Sequence, residues 1–524
     1  MIRLLYCGAS SACLELVNDL PFYAPEAYGV YLNGVFLFEK DTNVFSLFDL
    51  VPDTEYLVET KNRENGETLF SARFRTGKDS FECSVTRFGA KGDGVTDDTE
   101  AIQMAIDFLP ENGRLVFEPG VYLSRPLSLK NHITLELKKG TVLKGSSDRS
   151  RYPVIPGEVK DGLTGASDIY SVFEGVPHDS YQSLITAVNA SDICITGEGT
   201  IDGNAQNSDF WTAFRTFEPA RPRLLSFVHC SGIVLHGFTA CNSPAWNLHP
   251  FHCSGVSILD VGVNAPKDSP NTDAIDPEAC SGVQIIGCRL SVGDDCIAIK
   301  SGKIELAKRF AWPASDHTVR NCLMENGHGA VTLGSESAMG IKNLTVTQCF
   351  FRATDRGLRI KTRRGRGKDS NITNVVFDNI RMDGVLTPIV INMWYNCCDP
   401  DWFSEYVWSR KCLPVDDRTP HLGSFRFTNM ECTGAQVAAC YIDGLPEMPI
   451  DSVTFEKIRV AFDPDAKEGI PAMQNFAVKR RRLGFYLDHV SKIRLSRVSV
   501  GNVIGDPVVA SHCEDIVITD LTEE

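Results

Sequence analysis

One apolar template recurs ten times between residues 233 and 521. Ile233, Val256, Val283, His317, Leu344, Val375, Phe425, Val453, Ile493 and Ile516 each open a short segment with further core-type residues two and five positions on. The first segment reads Ile233, Leu235, Phe238 and the third Val283, Ile285, Cys288. Successive starts are 23, 27, 34, 27, 31, 50, 28, 40 and 23 residues apart. Period-two alternation within each segment specifies a strand, not a helix. A constant template at variable spacing specifies regular coils with loops inserted between them. The fold class expected is therefore all-β, a parallel β-helix. Cys288, Cys322 and Cys349 fall at the same template position. They are expected to stack as small apolar core residues rather than to bind metal or cycle redox states.

The flanks read differently. In residues 1–79, Val30-Tyr31-Leu32 and Val35-Phe36-Leu37 flank Asn33-Gly34, the pattern of a two-residue hairpin. Leu50-Val51-Pro52-Asp53-Thr54-Glu55-Tyr56 follows and resembles the L-x-P-x-T-x-Y segment of fibronectin type III domains. A small fibronectin type III-like β-sandwich is expected over 1–79, with Lys78-Asp79-Ser80 as linker and the β-helix over 80–524. The β-helix opens with FGAKGDGVTDDTEAIQMAIDFL. Asp97 or Asp98 can cap a helix whose apolar face is Ala101, Ile102, Ala105 and Ile106. The glycine loop before it lacks the lysine and spacing of a phosphate-binding loop. A cover for the exposed first coil is the expected role.

Charge and cysteine usage narrow the partners. A net charge of -15 argues against nucleic acid. No apolar run approaches the roughly 18 residues of a membrane span, so no membrane partner is expected. The N-terminus lacks the basic, apolar and cleavage-site order of a signal peptide. The 18 cysteines are scattered, and Cys397-Cys398 is unsuited to an ordinary zinc site. A reducing cytoplasm is the expected location, with secretion the alternative if a signal has been removed.

The chemistry concentrates between Ser269 and Gly302. Asn271-Thr272-Asp273 and Gly293-Asp294-Asp295 are polar clusters flanking an apolar strand. Asp273 and Asp294 are 21 residues apart, about one coil, so the clusters should stack on neighbouring coils. Crowded carboxylates repel, which lets acid and base roles divide among them. His328, Arg359 and Lys361 fall at comparable positions on later coils, placing all six on one face. Gly293 would allow the bend by which Asp294 and Asp295 both reach solvent. Lys300, Glu336 and Asn271 are further candidates. Arg363, Arg364, Arg366 and Lys368 form a basic run, either a solvated loop or a place for a polyanion. The stretch from Trp394 to Trp408 carries Tyr395, Trp402, Phe403 and Tyr406, suited to wall a sugar site or to pack as a loop core.

NTDAIDP, GDDCIAIKSG, GHGAVTLGSE and RGLRIKTRRGRG resemble, in order, the four motifs of glycoside hydrolase family 28, the polygalacturonases. Ala274 stands where that family usually has glycine. The resemblance covers about 80–524 and implies a right-handed, pectin-lyase-like β-helix. It also implies inverting hydrolysis of α-1,4-galacturonosyl bonds. Carried over motif by motif, Asp294 is the general acid. Asp273 and Asp295 hold and deprotonate water, and His328 tunes the acid or bonds the sugar. Arg359 and Lys361 meet the substrate carboxylate, with Asn271, Lys300, Glu336 and Arg364 as further binding residues. Acid and base are expected about 6.5–9.5 Å apart. No metal or cofactor is called for. The N-terminal domain and long insertions resemble bacterial exo-polygalacturonases, and are expected to close one end of a cleft. The partner is then a galacturonate-containing oligo- or polysaccharide. A rhamnogalacturonan or xylogalacturonan hydrolase is the near alternative. A pectate lyase and a non-catalytic polysaccharide binder are the readings from other classes.

Overall fold

The computed structural model describes residues 1–160, 167–212, 218–396 and 403–523. From Phe81 onward the chain coils into a right-handed parallel β-helix. Each template start pairs with the next: Ile233 with Val256, Val256 with Val283, Val283 with His317, and so on to Ile493 with Ile516. The 50-residue interval costs the ladder nothing, since Val375 still lies beside Phe425. Stacking identical positions every coil produces one continuous apolar core. His317 is the polar exception in that column. It is buried, its Nε2 is 3.1 Å from the Cys280 carbonyl, and burial lowers its pKa to about 4, so it sits there neutral.

Cys288, Cys322 and Cys349 are fully buried on successive coils. A second column, Cys230, Cys253 and Cys280, forms at another corner. Burial holds the Cys253 thiol well above its ordinary pKa. Sixteen described cysteines carry no disulfide; Cys397 and Cys398 lie outside the described residues.

At the N-terminal end, the helix Thr99–Phe108 drives Ile102, Ala105 and Ile106 into the core and covers the first coil. Asp98 does not cap it. Its carboxylate accepts instead from the N–H groups of Lys91 (2.7 Å) and Gly92 (3.0 Å), pinning the glycine loop. Asp97 accepts from the Thr99 N–H at 3.1 Å.

Residues Ile2 to Arg75 form a three-stranded and a four-stranded antiparallel sheet around their own core. Asn33 and Gly34 turn between Tyr23–Leu32 and Val35–Thr42 with φ of 49° and 82°, the two positive values such a tight turn requires. The Tyr56 hydroxyl accepts from the Val51 N–H at 2.9 Å. Polar ties such as Ser46 to Asp260 (2.7 Å) and Arg320 to Glu15 (2.9 Å) dock this unit on the 24-stranded sheet.

A separate seven-stranded sheet carries the functional face. It runs Ile297–Ile299, Val331–Gly334, Arg356–Lys361, Thr387–Asn392, Ala438–Asp443, Leu483–Asp488, Val508–Ser511. Ile275 bridges Leu248 to Ile297, and Glu278 bridges Phe251 to Lys300, so the face continues to earlier coils. Among the described residues no helix is long and apolar enough to cross a membrane.

Candidate active site

The motif clusters stack through backbone bonds. The Ala274 N–H donates to the Asp295 carbonyl (3.1 Å), and the His328 N–H to the Asp294 carbonyl (3.0 Å). Thr332 pairs with Arg359 and Gly334 with Lys361 one coil further on. Ala274, where the family usually has glycine, is fully buried in the apolar core. The backbone bends at Gly293 and Asp294, and close packing also requires the glycine. A Cβ there would lie 2.5 Å from the Ser269 carbonyl. At Gly329 a Cβ would lie 2.8 Å from Asp295 Oδ1, so that glycine makes room for the carboxylate.

Asp273, Asp294 and Asp295 each bring one oxygen within 4.8 Å of the others. These are approaches of nearest oxygens, a shorter measure than the carboxyl-to-carboxyl separation of about 6.5–9.5 Å that leaves room for water. Asp273 and Asp295 are buried, whereas Asp294 is half-buried and faces the pocket. Asp295 receives Lys361 Nζ at 2.8 Å and Arg359 Nη1 at 3.0 Å. Burial opposes its charge, but Lys361 and then Arg359 overcome that and hold its carboxyl far below the usual range. Asp273 moves the other way. Burial first, and then the charge of Asp294, raise its pKa well above that of an ordinary carboxyl. Environment therefore separates these neighbours into a fixed anion and a group of high proton affinity.

Around them lie the other expected residues. His328 Nδ1 is 2.8 Å from Asp355 Oδ2, and that bond raises the His328 pKa against the opposing effect of burial. Lys300 lies 3.4 Å from Glu336 and 3.5 Å from Asp276, with its Nζ 4.6 Å from the Trp246 ring centroid. Burial acts to raise Glu336, but Lys300 outweighs it and the carboxyl falls to about 2. Asn271 Oδ1 accepts from Arg221 Nη2 at 2.7 Å. Among the described residues Asp276 has no hydrogen-bond partner for either oxygen, and burial lifts its pKa to about 8.

Arg359 and Lys361 have Asp295 as their first partner rather than an open carboxylate site. Arg364 is not in the pocket at all. The alternation that aims Arg359 and Lys361 outward ends with the strand at Lys361. Arg364 then turns beneath the next loop, 1% exposed, and bonds Glu447 and the carbonyls of Tyr406, Ser409 and Lys411. Arg363 and Arg366 are also buried, and exposed Lys368 pairs with Asp417 at 3.0 Å. None of these four lines the pocket.

The pocket has a volume of about 460 Å³. Phe173 and Glu174 wall it on the side of the earlier coils, and Tyr395 and Met473 on the side of the later ones. Of the aromatic insertion, only Tyr395 reaches it. Trp394 is buried, and Phe403 and Trp408 pack with Phe476. Trp402 lies outside the described residues. Among the described residues none that lines it precedes Phe173, so no described residue of 1–79, expected to help close the cleft, walls the pocket. The ties of that N-terminal unit are to the other sheet.

Sequence reasoning missed Asp355, Asp276, Trp246, Arg221, Arg356 and Met473. Asp276 sits in the same motif stretch as Asp273, three residues on, and was within reach. Met473 comes from a loop 114 residues beyond Arg359, with no motif of its own. By ligand type, the three aspartates have the oxygens to hold a cation, but the Lys361 ammonium and the Arg359 guanidinium already pair with Asp295. Asp488, His489 and His512 bring ligating atoms equally close on the last coils.

The family model for glycosyl hydrolases family 28 matches residues 154–402. A probable polygalacturonase of Vitis vinifera is 30% identical over 402 residues, covering 74% of this chain and 75% of that protein. The structure of a Yersinia enterocolitica family 28 exopolygalacturonase superposes with a TM-score of 0.75 at 20% identity, covering 98% of both chains. A hyperthermoactive exopolygalacturonase of Thermotoga maritima gives a TM-score of 0.62 at 25% identity, over 76% of this chain and 94% of that one.

Proposed function

The chain belongs to glycosyl hydrolases family 28, and from that premise we propose that it hydrolyses α-1,4-galacturonosyl bonds of polygalacturonate or its oligomers, with inversion, from a chain end. The observation that carries this reading is the set of three clustered carboxylates, two of which, Asp273 and Asp294, line a pocket walled on both sides. Asp294, the most open of them, donates a proton to the leaving oxygen as the glycosidic bond breaks. Water held between Asp273 and Asp295 attacks the anomeric carbon from the opposite face and gives up its proton to this pair. Asp295, kept ionised by Lys361 and Arg359, supplies the negative charge that draws the proton off. The same two cations have donors to spare for a substrate carboxylate. Asn271, Lys300 and Glu336 hold the sugar hydroxyls.

The test is a time course on tri- and polygalacturonic acid, following reducing ends, ultraviolet absorbance and product size. Monomer or dimer from the first minutes without new absorbance is expected. An oligomer ladder would overturn the chain-end reading, and new absorbance would make the enzyme a lyase. Proton NMR of the first product separates inversion from retention.

His328 supplies a pH prediction. Its folded pKa is raised, so it stays charged to higher pH than a free histidine and neutralises as pH climbs through that raised value. Asp355→Asn removes the negative charge of the acceptor, so the alkaline limb of kcat/KM should move to lower pH while the acid limb stays. An unmoved alkaline limb would take His328 out of the reaction.

The fibronectin type III assignment of 1–79 is proposed on the same footing, supported by the three-plus-four antiparallel sheets and by the Tyr56 hydroxyl bonded five residues upstream. The sixteen free thiols support a reducing compartment.

A further inference from the structure

Two insertions rise from the functional sheet on the later-coil side of the pocket. One occupies 393–423, between Thr387–Asn392 and Ser424–Ala435; the other occupies 463–482, between Ile450–Phe462 and Leu483–Asp488. They join each other over the sheet. Tyr395 and Gln474 form an antiparallel bridge, and the Asn396 N–H donates to the Met473 carbonyl at 3.2 Å. Asn392 Nδ2 donates to the same carbonyl at 2.9 Å. This junction places Tyr395 and Met473 against the two motif cations. Met473 Sδ lies 2.7 Å from Arg359 Nη2, and the Tyr395 ring centroid 5.7 Å from Lys361 Nζ.

Beneath the junction sits one carboxylate, Asp443, whose side chain is 1% exposed. It occupies the sheet position beside Asn392. Arg410 of the first insertion donates to both its oxygens, at 2.7 and 3.0 Å. Gln474 of the second donates to Oδ2 at 3.2 Å, and the Tyr441 hydroxyl at 3.4 Å. Arg410 in turn lies 3.9 Å over the Trp394 ring, next to Tyr395 in sequence. A single buried anion thus fastens both insertions to the rigid sheet. Bidentate, charge-assisted bonds are the strong and directional kind suited to that task.

We infer that Asp443 is a specificity-determining positioning residue: it fixes the Tyr395–Met473 wall as the stop that limits how far a galacturonan chain threads past the scissile bond. Asp443 does not line the pocket, so it acts on product length through the wall and not on the bond-breaking step. The inference rests on the chain-end hydrolase reading above.

The experiment compares wild type, Asp443→Asn and Arg410→Gln, all as full-length protein. Product sizes from polygalacturonate and kcat and KM on trigalacturonate are measured, together with limited proteolysis of 463–482. Both variants are expected to release longer oligomers from the first minutes, to raise KM several-fold with kcat within a few-fold, and to expose 463–482 to protease. Unchanged product sizes and unchanged protection would overturn the role of Asp443. Faster proteolysis with unchanged product sizes would leave Asp443 a loop anchor only, and so would also overturn it. If Asp443→Asn fails to fold, Gln474→Ala breaks the same tie and must shift product length in the same direction. Failure of the underlying reading is distinct, because wild type itself would then give an oligomer ladder, a product with new absorbance, or no release, while the protease comparison still reports on the tie.

Discussion

Asp294→Asn is expected to lower kcat by about 10²- to 10⁴-fold while trigalacturonate binding persists. The amide keeps the size of the carboxyl and can still accept from the Asp295 N–H, which Asp294 Oδ1 does at 3.0 Å. It cannot give a proton to a leaving oxygen. Folding should survive, because Asp294 is half-buried and makes no ion pair among the described residues within 4.0 Å. Asp273 and Asp295 remain in place to hold water, so the residual rate reports catalysis without the acid. An aryl galacturonide whose leaving group needs no protonation should recover much of the loss. Normal turnover of the variant would remove the acid role, and uniform loss on both substrates would transfer it to Asp273.

Arg364→Ala is expected to destabilise the protein by roughly 3–5 kcal/mol, the cost of stranding one partner of a buried ion pair. Glu447 is 3% exposed and faces Arg364 with both oxygens, at 2.5 and 2.9 Å. Three loop carbonyls lose their donor in the same change, Ser409 at 2.6 Å being the shortest. The guanidinium also covers the Trp394 ring at 4.8 Å. Urea unfolding of Arg364→Ala, Glu447→Gln and the double variant closes a cycle, in which the double variant should cost less than the sum of the singles. KM for trigalacturonate should change little in folded protein. A variant of normal stability with a raised KM would return Arg364 to the substrate, where the sequence had suggested it.

That reversal shows where sequence reading stops. Arg359, Lys361 and Arg364 stand in one basic run, and nothing local distinguishes them. Alternation orients the first two because the strand Arg356–Lys361 constrains them, and it ends at Lys361, before Arg364. The column from Ile233 to Ile516 was legible because each coil must bury the same positions against the last, so the template repeats whatever the loops do. Asp273, Asp294, Asp295 and His328 were legible for the same reason, being short polar clusters at fixed offsets from that template. The second cysteine column, at Cys230, Cys253 and Cys280, was not extracted although it obeys the same rule.

The sequence by itself determined the coil, its register and the polar motifs on one face, since these follow from periodic burial along the chain. Only the tertiary structure decided that Lys361 and Arg359 hold Asp295 ionised while burial raises Asp273. It alone also assigned the pocket walls to Phe173, Tyr395 and Met473, and not to the N-terminal domain. Proton affinity depends on desolvation and on charges brought in from other coils, and wall position depends on loops joined across 79 residues, as at Tyr395 and Gln474. Neither quantity is carried by local periodicity.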